Sequence, residues 1–272
     1  MKKLPIVLML MFCSAFLLFA GEGEMKKSHR FYDLNGIASG EGTLKYSIFG
    51  QTTYGISDAV EISAHPVIFF LSPSVDVKYT LMTSDQYSVA GVSGISYPTL
   101  LMRLVAAKGI GGFISPEFTI PHMFSVRSGV VATLPLGEQH FISGSVLFEC
   151  ALNNSSLEPG SSIDLPLIAP RDAIYYKNAG FTAAVASEGE ISAIFDYHMK
   201  IELFLFPFPS KRYDNEYTLG QQDIFSETTG NILWKITETS RLSPGFKLTY
   251  GDYPFGGQWH LFPVIDFVKW IE

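Results

Sequence analysis

Residues 191–206 read ISAIFDYHMKIELFLF, and the alternation inside that stretch decides the fold. Its odd positions are Ile191, Ala193, Phe195, Tyr197, Met199, Ile201, Leu203 and Leu205, apolar apart from the amphipathic tyrosine. The even positions from there on carry Asp196, His198, Lys200 and Glu202. A helix would scatter those four polar side chains around its circumference, whereas a period of two gathers them on one face of a strand. The pattern is also more than twice the length of an ordinary strand, which runs to about 5–6 residues. A long strand with one apolar and one charged face suits a wall between lipid and a polar interior.

Composition agrees. Charged residues make up 17 % of the 272, against about 25 % in typical soluble domains. Aromatics reach 14 %, with 22 Phe and 13 Tyr, as expected where much of the exterior meets lipid. The net charge is −7, with no basic tract after Lys26-Lys27. A nucleic-acid partner would need a clustered Lys/Arg face, so none is expected.

Residues 1–20 read as a cleaved secretory signal peptide. Lys2-Lys3 form a basic start, Leu4–Phe19 an apolar run and Ala20-Gly21 a small-residue exit. Leu18 fits the small-x-small cleavage rule poorly, and Leu10-Met11-Phe12 before Cys13 lacks the small residues of a lipidation site. No later stretch offers the roughly 20 apolar residues of a membrane-spanning helix, so strands would have to do the spanning. The mature chain keeps one cysteine, Cys150, read as a small buried or lipid-facing hydrophobe.

Residues 21–42 (GEGEMKKSHRFYDLNGIASGEG) are polar and glycine-rich and read as a flexible lead, with a short strand over 31–38 as an option. Residues 43–272 read as one barrel domain. Leu44, Tyr46, Ile48, Tyr54 and Ile56 alternate up to a tight turn at Ser57-Asp58, and Val60, Ile62 and Ala64 alternate after it. This hairpin, TTYGISDAVEI over 52–62, resembles a pattern of bacterial outer-membrane β-barrel proteins of the porin and transporter kind. In those proteins a Tyr-Gly-aliphatic-x-Asp-x-aliphatic-Glu-aliphatic run joins two strands through a short periplasmic turn. The resemblance covers about ten residues, Tyr54–Ile62 at its centre. It implies a fold and brings no catalytic residues.

Further alternating segments follow at 75–81, 87–97, 124–134, 140–152, 175–185, 231–239, 245–251 and 258–270, with weaker ones at 98–107 and 111–120. Barrels of this kind have short turns on one side and long loops on the other. Turns at 84–86, 120–123, 137–139, 187–190 and 240–244 are assigned to the side of Ser57-Asp58, and the long stretches 153–172 and 207–230 to the far side. Thirteen strands result from Leu44 onward. Closure wants an even number, and the expectation is an all-β, antiparallel up-and-down transmembrane barrel of about 12 strands, within a range of 10–14. Trp270 stands two residues before the end, where such barrels usually finish on an aromatic. Tyr46, Tyr54, Tyr79, Phe204, Phe206, Trp234, Trp259 and Trp270 lie near strand ends and are candidates for interfacial girdles.

If the apolar positions face lipid, the lumen receives Glu61, His65, Asp76, Lys78, Arg127, Glu149, Asp196, His198, Lys200 and Glu202. Both signs occur. Buried charges survive when partnered, so a self-compensating network and a polar channel are both open readings. The six histidines show no i, i+2 or i, i+4 pairing and a lone cysteine cannot complete a ligand set, so no metal and no cofactor is expected.

The expected role is an outer-membrane barrel acting as a passive pore or transport-related protein, with outer-membrane lipid and small solutes as partners. A closed barrel displaying its loops is the alternative within that fold. A secreted or periplasmic β-sandwich that binds a ligand is the alternative outside it. Catalysis is not expected: the Ser/His candidates of an outer-membrane lipid hydrolase, His140 with Ser143 and His198 with Ser192, lack an orienting third group that sequence can place.

Overall fold

A computed structural model describes residues 31–107, 116–137, 139–155, 179–206, 224–253 and 256–272. The signal peptide expected at 1–20 lies outside the described residues, as do most of the two long stretches. Twelve antiparallel strands close into one barrel. They are β1 Leu44–Ser47, β2 Thr52–Ser57, β3 Val60–Ala64, β4 Ser74–Thr83, β5 Ser88–Ser96, β6 Met123–Pro135, β7 His140–Asn153, β8 Ala179–Ser192, β9 Phe195–Leu205, β10 Ile224–Thr237, β11 Ser240–Tyr253 and β12 Gly256–Ile271. Each strand pairs with its neighbours in sequence, and β1 pairs with β12 to leave no free edge. Lipid cannot satisfy an open edge, so this closure is what makes the sheet compatible with a bilayer.

The connections at 58–59, 84–87, 136–139, 193–194 and 238–239 all lie at one end, where Leu44 of β1 also meets Ile271 of β12. At the opposite end lie 48–51, 65–73, 97–107 and 116–122, and there β7, β9 and β11 end and β8, β10 and β12 begin. These are called the short-turn and long-connection ends below.

Several boundaries differ from the sequence reading. The alternating arm from Leu44 to Ile56 is two strands, because Phe49-Gly50 turns the chain back. Asp266 fixes that turn, its Oδ1 accepting from the N–H groups of Ile48 (3.1 Å) and Phe49 (3.0 Å). The segment 98–107 is not a strand. Thr99–Val105 forms a short helix, α1, whose buried Leu101, Met102 and Val105 follow a helical rather than a two-residue period. The turn at 120–123 therefore belongs to the β5–β6 connection at the long-connection end, opposite to its assignment. The split of 44–56 adds one strand, 98–107 supplies none, and 111–115 of the segment expected at 111–120 lies outside the described residues; twelve strands close the barrel.

The opening stretch is also divided. Ser187–Glu190 continues β8, and the chain reverses at Ala193-Ile194, so Ile191 and Ser192 belong to β8 while Phe195–Leu205 forms β9. Glu190 and Asp196 are register partners, and Lys235 of β10 reaches both carboxylates at 2.8 Å. Apolar Ile191, Ala193 and Ile194 hid the turn by prolonging the alternation. Similarly, 240–244 lies within β11, where Pro244 stands opposite Ile265, and Glu238-Thr239 makes the turn.

Residues 31–42 differ most from the sequence reading. They form no strand and no loose lead, but run inside the barrel with Tyr32, Asn35 and Ala38 buried. Leu34 packs on the inward side chains of Ala90, Val92, Val131 and Leu147. At the long-connection end a second apolar cluster forms inside the wall. There Leu101, Met102 and Val105 of α1 pack with Ile120, Met123, Ala151, Phe206 and Phe225.

Candidate functional site: the barrel interior

Parity is read most clearly on β4 and β9. On β4, Ser74, Asp76 and Lys78 are buried, while Val77, Tyr79 and Leu81 are exposed. On β9, His198 and Glu202 are buried, and Met199 and Ile201 between them are exposed. In a closed barrel the buried set faces inward. Exposed Tyr46, Tyr54, Tyr79, Trp234 and Trp259 face outward, whereas Phe206 and Trp270 are buried and do not join any girdle. Trp270 shares the inward parity of Val268 on β12, and the Arg241 guanidinium lies over its ring at 5.6 Å.

The inward charges form three groups. Near the short-turn end, Lys78 of β4 stands opposite Glu61 of β3, with Nζ 2.8 Å from Oε1 and both side chains almost fully buried. Lys78 Nζ also donates to the Asp33 carbonyl at 2.9 Å, and Lys45 pairs with the Asp33 carboxylate. In mid-barrel, Arg127 of β6 reaches Asp76 of β4 in a two-pronged pair, Nε to Oδ1 at 2.6 Å. Gln51 donates to the same carboxylate at 3.0 Å. Glu149 stands opposite Arg127 in the β6–β7 register and accepts from Ser125 Oγ at 2.7 Å. On the other wall, Lys200 meets Glu202 (2.7 Å) and Glu227 (3.6 Å), and Lys247 meets Glu227 at 2.9 Å. The third group sits by the β8–β9 turn, where Asp196 takes Lys235 and the Nε of Arg241 at 3.2 Å.

His198 is buried between the rings of Phe31 and Tyr32, each centroid 5.2 Å away. His65 is the exception among the ten candidates. It lies beyond β3 in the 65–73 connection, outside these groups. Its Nδ1 accepts from the Ile68 N–H at 3.3 Å, so its Nε2 carries the proton that goes to the Phe49 carbonyl at 2.9 Å. Burial holds His65 below the ordinary histidine range, with the Phe49 carbonyl and the Asp266 carboxylate pulling the other way.

Residues 31–42 complete the interior. Glu188 accepts from the N–H groups of Phe31 (3.1 Å) and Tyr32 (3.0 Å). Gly36 donates to Thr133 Oγ1 at 2.8 Å and its carbonyl accepts from Ser88 Oγ at 2.6 Å. Ala38 donates to Thr80 Oγ1 at 2.9 Å, and Ser39 donates to Glu61 through both N–H and Oγ at 2.8 Å. The partners lie on β8, β6, β5, β4 and β3 in turn, all toward the short-turn end. The segment thus lies across the lumen there before joining β1. Gly36 makes this course possible: a Cβ at that position would stand 2.4 Å from the Ser88 carbonyl oxygen.

Sequence reasoning left out Lys45, Gln51, Glu188, Glu190, Glu227, Lys235, Arg241, Lys247 and Asp266. The same two-residue parity would have placed Lys45 between Leu44 and Tyr46 and Asp266 between Ile265 and Phe267. Glu188 and Glu190 were missed because Ser-Glu-Gly-Glu reads as a turn. The Ser/His pairs are separated: three residues apart on β7, His140 and Ser143 stand on opposite faces. Ser143 Oγ meets Thr133 Oγ1 inside at 2.7 Å, and His140 Nδ1 meets the Tyr197 hydroxyl outside at 3.4 Å. His198 is buried while Ser192 is exposed at the turn. Among the described residues no group of three His, Cys, Asp or Glu is placed to hold a metal ion, and no helix is long and apolar enough to cross a membrane.

No family model and no curated protein matches the chain. Among solved structures the chain is similar to the NanC porin in its rhombohedral crystal form. Sequence identity is 11 % and the TM-score 0.47, over 85 % of this chain and 98 % of that one.

Proposed function

We propose that the protein is an outer-membrane barrel that passes small polar solutes, with 1–20 acting as a cleaved export signal and 43–272 as one barrel domain. The observation that carries this reading is the division of faces around a closed sheet. Large apolar side chains such as Ile201, Trp234, Leu261 and Ile265 are exposed, while Arg127, Asp76, Lys200 and Glu227 are turned inward. An aqueous protein would not leave so many large apolar groups uncovered on one continuous face. Lipid is the surrounding that such a face fits. The lumen carries both signs of charge on neighbouring strands, which suits polar solutes of modest charge better than a strongly ion-selective path.

Uptake of small sugars and amino acids into liposomes holding the refolded protein tests this reading. Uptake above protein-free vesicles is expected, and its absence over a range of small solutes, in lead-free protein as well as the full chain, overturns it. A second reading, a closed barrel that displays its loops, is favoured by one observation: residues 31–42 lie across the lumen.

A further inference from the structure

We infer that residues 31–42 are a displaceable seal for the lumen, swinging on Gly40 and Gly42 at their junction with β1; the inference rests on the pore reading above. Three observations carry it. First, the barrel is complete without the segment. β1 pairs with β12 and β2, every strand has two neighbours, and 31–42 contributes no strand to the sheet. Its departure would leave the hydrogen-bonded wall intact.

Second, the segment is held by contacts that water can replace. Its backbone N–H groups go to Glu188, Thr133, Thr80 and Glu61, and its carbonyls and the Asp33 carboxylate take Lys45, Lys78 and Ser88. These wall groups are polar, so an emptied lumen would hydrate them, and the apolar surface it uncovers is the patch of Ala90, Val92, Val131 and Leu147 under Leu34. The exchange of such bonds for water is nearly balanced one bond at a time. Apolar anchorage is confined to Leu34 and to Phe31 and Tyr32 against His198.

Third, the junction is a glycine turn whose root stays on the wall, the Gly42 N–H donating to the Gly55 carbonyl of β2 at 3.0 Å and the Gly40 carbonyl accepting from the Thr43 N–H at 3.3 Å. Gly40 and Gly42 both have φ of 79°, a conformation that other residues adopt with strain, and a Cβ on Gly42 would meet nothing within 4 Å. By contrast, the strap beyond them lies directly against β5, where a Cβ on Gly36 would stand 2.4 Å from the Ser88 carbonyl oxygen. The seated strap and the swung strap therefore share one barrel and differ in a single short segment.

Single-channel recording in planar bilayers tests this, on four proteins all carrying Cys150→Ser: the parent, a deletion of residues 31–39, Gly36→Val, and the pair Ser39→Cys/Thr53→Cys. The hydroxyls of Ser39 and Thr53 are 3.5 Å apart, so a disulfide there pins the strap to β2 outside its hinge. Gly36→Val drives a side chain into the Ser88 carbonyl of β5 while leaving every strand's own sequence unchanged, and serves if the deletion refolds poorly. If the parent opens only as a minor state, populated at about 0.1–10 %, the deletion and Gly36→Val raise the open fraction about tenfold or more. The oxidised pair stays shut and regains parental opening on reduction. An oxidised pair that conducts like the parent overturns the seal. If neither the deletion nor Gly36→Val conducts at all, the pore reading itself fails.

Discussion

The guanidinium of Arg127 on β6 crosses the whole of β5 to grip the carboxylate of Asp76 on β4, and it does so over Gly94. A Cβ at position 94 would lie 1.9 Å from Asp76 Oδ1 and 3.0 Å from Arg127 Nε. Gly94→Ala should therefore split the pair while leaving both charges in the wall. Breaking a buried pair costs about 3–5 kcal/mol, and the low end applies because Arg127 keeps some access to water. Urea unfolding in micelles checks this. The cost of Gly94→Ala should shrink sharply in an Asp76→Ala background, and additivity of the two changes would show that the pair is not what the glycine serves.

Lys78 and Glu61 give a cleaner case, since their side chains are 5 % and 4 % exposed. Lys78→Met alone strands a buried carboxylate and should cost about 3–5 kcal/mol. Lys78→Met with Glu61→Leu removes both charges and should recover most of that loss. Equal stability of the single and double variants in the same unfolding experiment would contradict the pairing.

How much of this was legible depended on parity. The faces of β4 and β9 followed from counting by twos, and so did the inward course of Asp76, Lys78, His198 and Glu202. Parity failed where the chain turned without polar residues, as at Ala193-Ile194, and where a polar run continued a strand, as at Ser187–Glu190. The lead at 31–42 was unreadable for a different reason. A polar, glycine-rich segment looks the same whether its hydrogen bonds go to water or to Glu188, Thr133 and Thr80, and only the closed barrel supplies those partners.

Ile201 is 56 % exposed between inward Lys200 and Glu202. Arginine there would place a charge against lipid, at a cost of about 2–4 kcal/mol near the bilayer midplane. Unfolding of Ile201→Arg from lipid vesicles should show that loss. Full stability in vesicles would mean that this face does not meet lipid.

His65 gives the acid dependence. In the unfolded chain it takes up a proton near about pH 6.5; in the folded chain burial delays that to lower pH. Its contribution is thus complete above the unfolded value and is lost as pH falls through it toward the lowered one. The protection factor of the Ile68 amide, which donates to Nδ1, should fall on acidification below about pH 6.5. His65→Gln should remove that dependence, and an unchanged pH profile in the variant would assign it elsewhere.

That the parity of twelve strands divides a lipid face from a lumenal one is tested most directly by the three tryptophans. Trp234 and Trp259 are 50 % and 64 % exposed on the outward face, and Trp270 is 4 % exposed under Arg241. Single-tryptophan variants reconstituted with brominated lipids should show strong quenching of Trp234 and Trp259 and little of Trp270. Equal quenching of all three, or quenching of Trp270 alone, would contradict the account.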